Sequence, residues 1–258
     1  MLALNPRQRR LLEFVRSHET VSVEALAREF NVTSQTVRRD IKLMEEAKLL
    51  ARYHGGVGLP SSVQNIDYSQ RQSLHVGAKR SIAAAVAQRI SAGCSLLINV
   101  GTTTEEVARS LVNHEGLRVI TNNLNVATIL SDNPKSEVII AGGVVRKRDR
   151  AIIGEATSDF IRQFKVDIGI IGISSIESDG TLRDFDPREV KVAQTIIEQS
   201  REVWLVADGD KFGREALVRM GHVAQVDKLF TDTPPPESLA KILKTHGVET
   251  IITEASDR

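Results

Sequence analysis

Over residues 6–57 apolar positions recur at helical spacing. Leu11, Leu12, Phe14 and Val15 form one stripe, Ala25, Leu26 and Phe30 a second, and Val37, Ile41 and Met44 a third. These stripes predict three helices, the last running from Ser34 to about Lys48. Ser22 is placed to cap the second helix and Thr33 or Ser34 the third, with Asn31-Val32-Thr33 as the tight polar connection. Residues 49–57, with Gly55-Gly56 near their end, read as a short β wing. The period then lapses over residues 58–76, where Leu59-Pro60-Ser61-Ser62 indicates a linker. An Ala-rich amphipathic helix is expected over 78–90. After it, apolar runs at 95–100, 117–121, 137–141, 167–173, 202–207, 228–231 and 248–253 mostly alternate with helix-like segments. Short apolar strands separated by helices predict an α/β fold, a doubly wound parallel sheet. The expected organisation is therefore a winged helix-turn-helix at 1–57, a linker at 58–76 and an α/β domain at 77–258.

Composition sharpens this division. Residues 1–57 hold ten Lys/Arg against seven Asp/Glu, and the rest of the chain holds 24 against 26. The small unit thus has the charge sign of a polyanion binder. Aromatics are only 4%, which leaves the core to Ile, Val, Leu and Ala and places Trp204 in a strand core. A single cysteine, Cys94, excludes an intrachain disulfide and a thiolate zinc site, and reads as a small buried residue. The six histidines show no metal spacing, and no metal or cofactor is expected. The chain start lacks a signal-peptide apolar region, and no run approaches the roughly 20 residues that span a bilayer. A cytoplasmic protein is expected.

The third helix carries the first chemistry. Rotation by 100° per residue from Val37 puts Gln35, Arg39 and Lys42 opposite the core, flanked by Ser34, Thr36 and Arg38. Arg bonds guanine edges bidentately and Gln does so for adenine, while Lys and Thr hold phosphates. Arg52 and His54 of the wing would lie near the DNA backbone. Asp40 has a structural alternative, pairing with a neighbouring arginine without touching DNA.

The second chemistry lies at strand ends, because ligands of such sheets sit outside the carboxyl ends of the strands. The first run ends in Gly101-Thr102-Thr103-Thr104 at a helix start, an anion cradle that is neither a P-loop nor a dinucleotide fingerprint. The second ends in Thr121-Asn122-Asn123, the third in Ala141-Gly142-Gly143, and the fifth in Asp208 with Lys211 just beyond. A phosphate plus a polyol would use all of them, with Lys211 as the phosphate cation. Asp167, Asp184, Asp186 and Glu189 either bond ligand hydroxyls or are exposed and capping. Arg146-Lys147-Arg148-Asp149-Arg150 reads first as a solvated loop, with a second phosphate contact or a DNA patch as the alternative.

Ser34-Gln35-Thr36-Val37-Arg38-Arg39-Asp40-Ile41, in register with Arg52-Tyr53-His54-Gly55-Gly56, resembles the DNA-binding domain of DeoR-type repressors. The resemblance continues through the strand-end motifs and Asp208-Gly209-Asp210-Lys211-Phe212-Gly213, and through residues 121–127, 152–156 and 231–236. It implies an effector domain similar to sugar-phosphate isomerases. It also implies a repressor, not an enzyme, acting as a homodimer or homotetramer. Operator DNA is released when a phosphorylated metabolite binds, with glycerol 3-phosphate the first candidate. The competing reading is a sugar-phosphate isomerase with an accessory helical domain, using Asp167, Glu189 and Lys211 for proton transfer. The basic third helix argues against it.

Overall fold

The computed structural model describes residues 4–16, 18, 21–47, 49–53, 56–58 and 65–253, with the side chains of Arg16 and Tyr53 set aside. The chain divides into two compact units, Met1–Asp67 and Tyr68–Arg258.

The first unit contains α1 (Pro6–Arg16), α2 (Val23–Glu29), α3 (Ser34–Glu46) and the antiparallel pair β1 (Ala51–Tyr53) and β2 (Gly56–Gly58). Ser22 caps α2 by accepting from the Ala25 N–H at 3.1 Å, and Thr33 caps α3 by accepting from the Thr36 N–H at 3.2 Å. The three apolar stripes meet in one core, where Leu11, Val15, Leu26, Val37, Ile41 and Met44 are each at most 1% exposed. The wing is fastened by Val57, which exchanges backbone hydrogen bonds of 2.9 and 2.8 Å with Val21. Gly56 permits this approach, since a Cβ there would sit 2.3 Å from the Val21 carbonyl oxygen. His54, Gly55 and residues 59–64 of the expected linker lie outside the described residues.

The second unit opens with α4 (Tyr68–Ser73) and α5 (Val76–Ala87). Then follow β3 (Ser95–Ile98), α6 (Thr102–Ser110), β4 (Arg118–Thr121), α7 (Leu124–Ser131) and β5 (Glu137–Ile140). A hairpin of β6 (Val144–Arg146) and β7 (Ala151–Ile153) leads to α8 (Glu155–Ile161) and β8 (Val166–Gly172). Next come β9 (Ser175–Ile176), β10 (Thr181–Asp184), α9 (Pro187–Glu198) and β11 (Ser200–Val206). The chain ends with β12 (Val218–His222), β13 (Lys228–Thr231), α10 (Glu237–Thr245) and β14 (Glu249–Ile252).

Seven strands form one parallel sheet in the order β14-β13-β11-β8-β3-β4-β5. Each corresponds to one of the seven apolar runs. Alternation along β3 sends Leu97 to the face packed by α8, α9 and α10, and Leu96 and Ile98 to the face packed by α5, α6 and α7. Cover on both faces is what makes the strands continuously apolar. Trp204 is 2% exposed in the second of these cores.

Two expectations require correction. Residues 68–76 are not linker, because α4 and the start of α5 occupy them. No side chain of α4 is buried, so no apolar period marks it. Residues 146–150 are not a solvated loop throughout, because they form the end and turn of the β6–β7 hairpin. The Arg146 side chain is 9% exposed and that of Asp149 0%.

Candidate functional site

On α3 the side chains of Gln35, Arg38, Arg39 and Lys42 are exposed, while Ser34 and Thr36 are half-buried. The Thr36 hydroxyl lies 2.9 Å from that of Thr33, so it is partly engaged in the helix cap. Arg52 is exposed on β1, its Nε 3.1 Å from Glu45. Asp40 takes the structural role. At 4% exposure it accepts from Arg7 Nε at 2.8 Å and from Gln8 Nε2 at 2.9 Å, which pins α1 to the buried side of α3. The opposite side of α3 is left as a polar and basic strip on a capped, anchored helix. That is the geometry of a major-groove reader.

In the second unit the chain runs from β3 outward to β4 and β5, then crosses back to β8 on the other side of β3. The carboxyl ends of β3 and β8 are therefore the switch point where ligands of open α/β sheets bind. Asn99 prolongs the ladder there, donating to the Gly172 carbonyl at 3.2 Å and accepting from its N–H at 2.9 Å. Gly101 leads into α6, and Thr104 donates to the carbonyls of Asn99 and Gly101 at 2.9 Å each. Thr102 and Thr103 take no part in that cap, so their hydroxyls and the first N–H groups of α6 remain for an anion.

Three basic groups converge beside this point. Lys211 follows β11 and stands 3.7 Å from Asp208. Burial lowers its pKa, and Arg214 and Arg71 lower it further. Lys79, on the buried side of α5, is 3% exposed, and its pKa is depressed to about 8 by burial, with Lys211 and Arg71 adding to the effect. Arg71, on α4, is 16% exposed with its Nε buried and without a hydrogen bond. Asp208 Oδ2 and Asn122 Oδ1 are likewise buried and unbonded among the described residues.

A second network centres on Arg146. Its guanidinium reaches Asp149 at 2.6 and 2.8 Å, Asp186 at 2.7 Å and Glu189 at 2.5 Å. Burial opposes ionisation of Asp186, but hydrogen bonds from Arg188 and Arg146 outweigh it and hold the carboxyl at about 2. Burial, with Asp184 nearby, pushes Glu189 up to about 7. Asp184 is raised by burial too, against hydrogen bonds from the Phe185 N–H at 2.7 Å and Ser174 at 3.0 Å.

The structure divides the expected ligand set. Thr102, Thr103, Asp208, Lys211 and Glu189 stay at the carboxyl edge around the switch point. The Thr121 hydroxyl is consumed by the Ile98 carbonyl at 2.7 Å, and Asn123 caps α7 while bonding Glu105 at 3.2 Å. Gly142 and Gly143 follow β5, four strand spacings from β11 and hence roughly 19 Å away. One small ligand does not span that distance. These glycines launch the hairpin instead, and at Gly143 (φ +150°) a Cβ would stand 2.2 Å from Thr157 Oγ1. Asp167 is also corrected. It opens β8 at the amino edge of the sheet, where it accepts from the Ser95 N–H at 3.0 Å and hydroxyl at 2.5 Å. Residue-by-residue reading missed Arg71, Lys79, Glu105 and the buried role of Arg146. Lys79 had a signal, being a lysine in helical register with Ile82, Ala83 and Val86.

No helix among the described residues is long and apolar enough to cross a membrane. Residues 7–63 match the DeoR-like helix-turn-helix domain and residues 74–233 the DeoR C terminal sensor domain. The chain is 47% identical to the glycerol-3-phosphate regulon repressor of Escherichia coli (strain K12), over 94% of this chain and 96% of that one. It is 42% identical to the transcriptional repressor CsqR of the same organism, over 96% and 95%. Among solved structures, ribose 5-phosphate isomerase A from Neisseria gonorrhoeae is similar at 12% identity and a TM-score of 0.38, over 52% of each chain. With both domain models matched in order and relatives aligned over nearly their whole length, the chain belongs to the DeoR family of DNA-binding transcriptional repressors, regulators rather than enzymes.

Proposed function

We propose that the Tyr68–Arg258 unit binds a phosphorylated polyol at the carboxyl ends of β3, β8 and β11, and that binding releases α3 from operator DNA. Arg71, Lys79 and Lys211 hold the phosphate together with Thr102, Thr103 and the start of α6. Asp184, Glu189 and Asp208 face the hydroxyls. Gln35, Arg38, Arg39, Lys42 and Arg52 contact the operator, in a homodimer or homotetramer that presents symmetry-related helices to repeated half-sites.

The observation that carries this reading is the convergence of three largely buried basic groups with an unbonded guanidinium nitrogen among them. Like charges held out of water are costly unless an anion joins them. Glycerol 3-phosphate is the effector we favour, after the name of the relative at 47% identity. A relative with a different name stands only slightly lower, at 42%, so similarity alone does not choose the ligand.

Thermal unfolding of the full chain against a panel of phosphorylated metabolites tests this, with glycerol and inorganic phosphate as controls. A ligand at about 100 times its Kd stabilises by roughly 2.7 kcal/mol, a shift of several degrees. Glycerol 3-phosphate is expected to give that shift and to lower operator affinity in a parallel titration. A shift with another sugar phosphate only would replace the effector. No shift with any would remove the sensor reading.

A further inference from the structure

We infer that α4 is the element that passes effector binding on toward the DNA-binding unit, and that Tyr68, bonded to the buried carboxylate of Glu105, is the latch on which it turns. This rests on the reading that a phosphorylated effector enters among Arg71, Lys79 and Lys211.

Helix α4 has six residues and buries none of them. A helix that short is unstable alone in water, so its position depends on what holds it. Polar ties do so, and three of them reach the carboxyl edge or its flanks. Tyr68 donates its hydroxyl to the Glu105 carboxylate, 2.7 Å from Oε2 and 2.9 Å from Oε1. Arg71 Nη2 stands 3.8 Å from Asp149. Lys79 Nζ donates to the carbonyl of Arg71 and, at 2.6 Å, to that of Leu74, closing the carboxyl end of α4. His75, in the left-handed region at φ 50°, makes the bend between α4 and α5.

Two of these ties use the groups a phosphate would claim. A dianion that draws in Arg71 and Lys79 changes the forces on α4 directly. The Tyr68 tie is different, because it involves none of the proposed phosphate ligands. Glu105 is 1% exposed and also accepts from Asn123 at 3.2 Å and Asn125 at 3.0 Å. Asn125 and Gln72 each donate to the Tyr68 oxygen at 2.8 Å. The carboxylate thus joins α4, α6 and the start of α7 in one rigid node. Burial and Glu105 hold the Tyr68 phenol above its ordinary range, so it remains a donor at neutral pH. Tyr68 is the first residue of the larger unit and follows Asp67, the last of the smaller. Displacement of α4 about this node therefore acts directly on the chain that leads to the DNA-binding unit. Tyr68 and Glu105 are positioning residues that set how much of the effector's binding energy reaches α3.

The test uses the full chain, its Tyr68→Phe variant and a DNA fragment selected for binding from a random pool. The Kd for glycerol 3-phosphate is measured with and without that DNA, and the ratio of the two is the coupling. Coupling in ligand-gated proteins is typically about 5- to 150-fold, and Tyr68→Phe is expected to bring it to within about threefold of unity. Hydrogen exchange over residues 66–75 is expected to slow on effector binding in the wild type and less so in the variant. A merely structural role would alter stability or both affinities and leave the ratio unchanged. A wild-type ratio in Tyr68→Phe overturns the latch and leaves the effector site standing. If the wild type binds no glycerol 3-phosphate, the effector reading and the latch fall together.

Discussion

On α3 adjacent residues have opposite tasks. Arg39 is exposed, and Asp40 is 4% exposed between Arg7 and Gln8. Arg39→Ala removes a candidate base contact and should weaken operator binding by about 1–3 kcal/mol per engaged helix. Its thermal shift with effector should match the wild type; unchanged operator affinity would remove Arg39 from the interface. Asp40→Ala leaves the buried amide of Gln8 without its acceptor and should destabilise the first unit by about 1–3 kcal/mol, read by urea unfolding. Glu189 makes a prediction in pH. Its carboxyl is raised to about 7 by burial and by Asp184, against 4.5 ordinarily. The folded state therefore binds this proton more tightly than the unfolded state does. The resulting stability is full below about 4.5 and is lost as pH rises through 7. His75, also raised, has the same sign, so the comparison must be with a variant. Tm plotted against pH should fall less steeply between 4.5 and 7 in Glu189→Gln than in the wild type; parallel curves would show that Glu189 does not titrate there.

Among elements, what the sequence makes visible is whatever buries an apolar stripe. The first three helices and all seven sheet strands do so, and each has a run at the expected place. The β6–β7 hairpin and α4 do not. Their order comes from Arg146 with its carboxylates and from Tyr68 with Glu105, contacts between residues far apart in sequence that no period encodes. Asp167 went astray for a related reason. Polarity singled it out, although a residue that opens a parallel strand stands at the edge away from the ligand. The wing lies between these cases, since its glycines announce a turn but not which contact demands them. Gly56→Ala sets a Cβ 2.3 Å from the Val21 carbonyl oxygen. The strand must shift, at a cost of about 1–3 kcal/mol. Both the Tm of the first unit and operator affinity should fall; a variant with wild-type values would mean that the wing moves aside freely.

For the whole molecule, the charge asymmetry between the units turns a salt titration into a count of bound heads. The first 57 residues carry the positive excess, and the remainder carries 24 Lys/Arg against 26 Asp/Glu. Counterion release should therefore arise from the small unit alone. Each phosphate contact contributes about −0.9 to the slope of log K against log salt on duplex DNA. Lys42 stands exposed on α3 and is the residue there best suited to a phosphate. Lys42→Ala removes that contact once for every α3 engaged, so the slope should become shallower by about 0.9 per bound head. Two heads on one operator predict a change of about 1.8, and four heads about 3.6. A change near 0.9 would mean that one head binds at a time, which would set aside the symmetric arrangement. Effector should lower the affinity at every salt concentration. If it acts by moving both heads off their half-sites, the slope should also collapse toward that of nonspecific binding. A slope that stays constant while affinity falls would instead place the switch in the base contacts of α3, with the phosphate contacts kept.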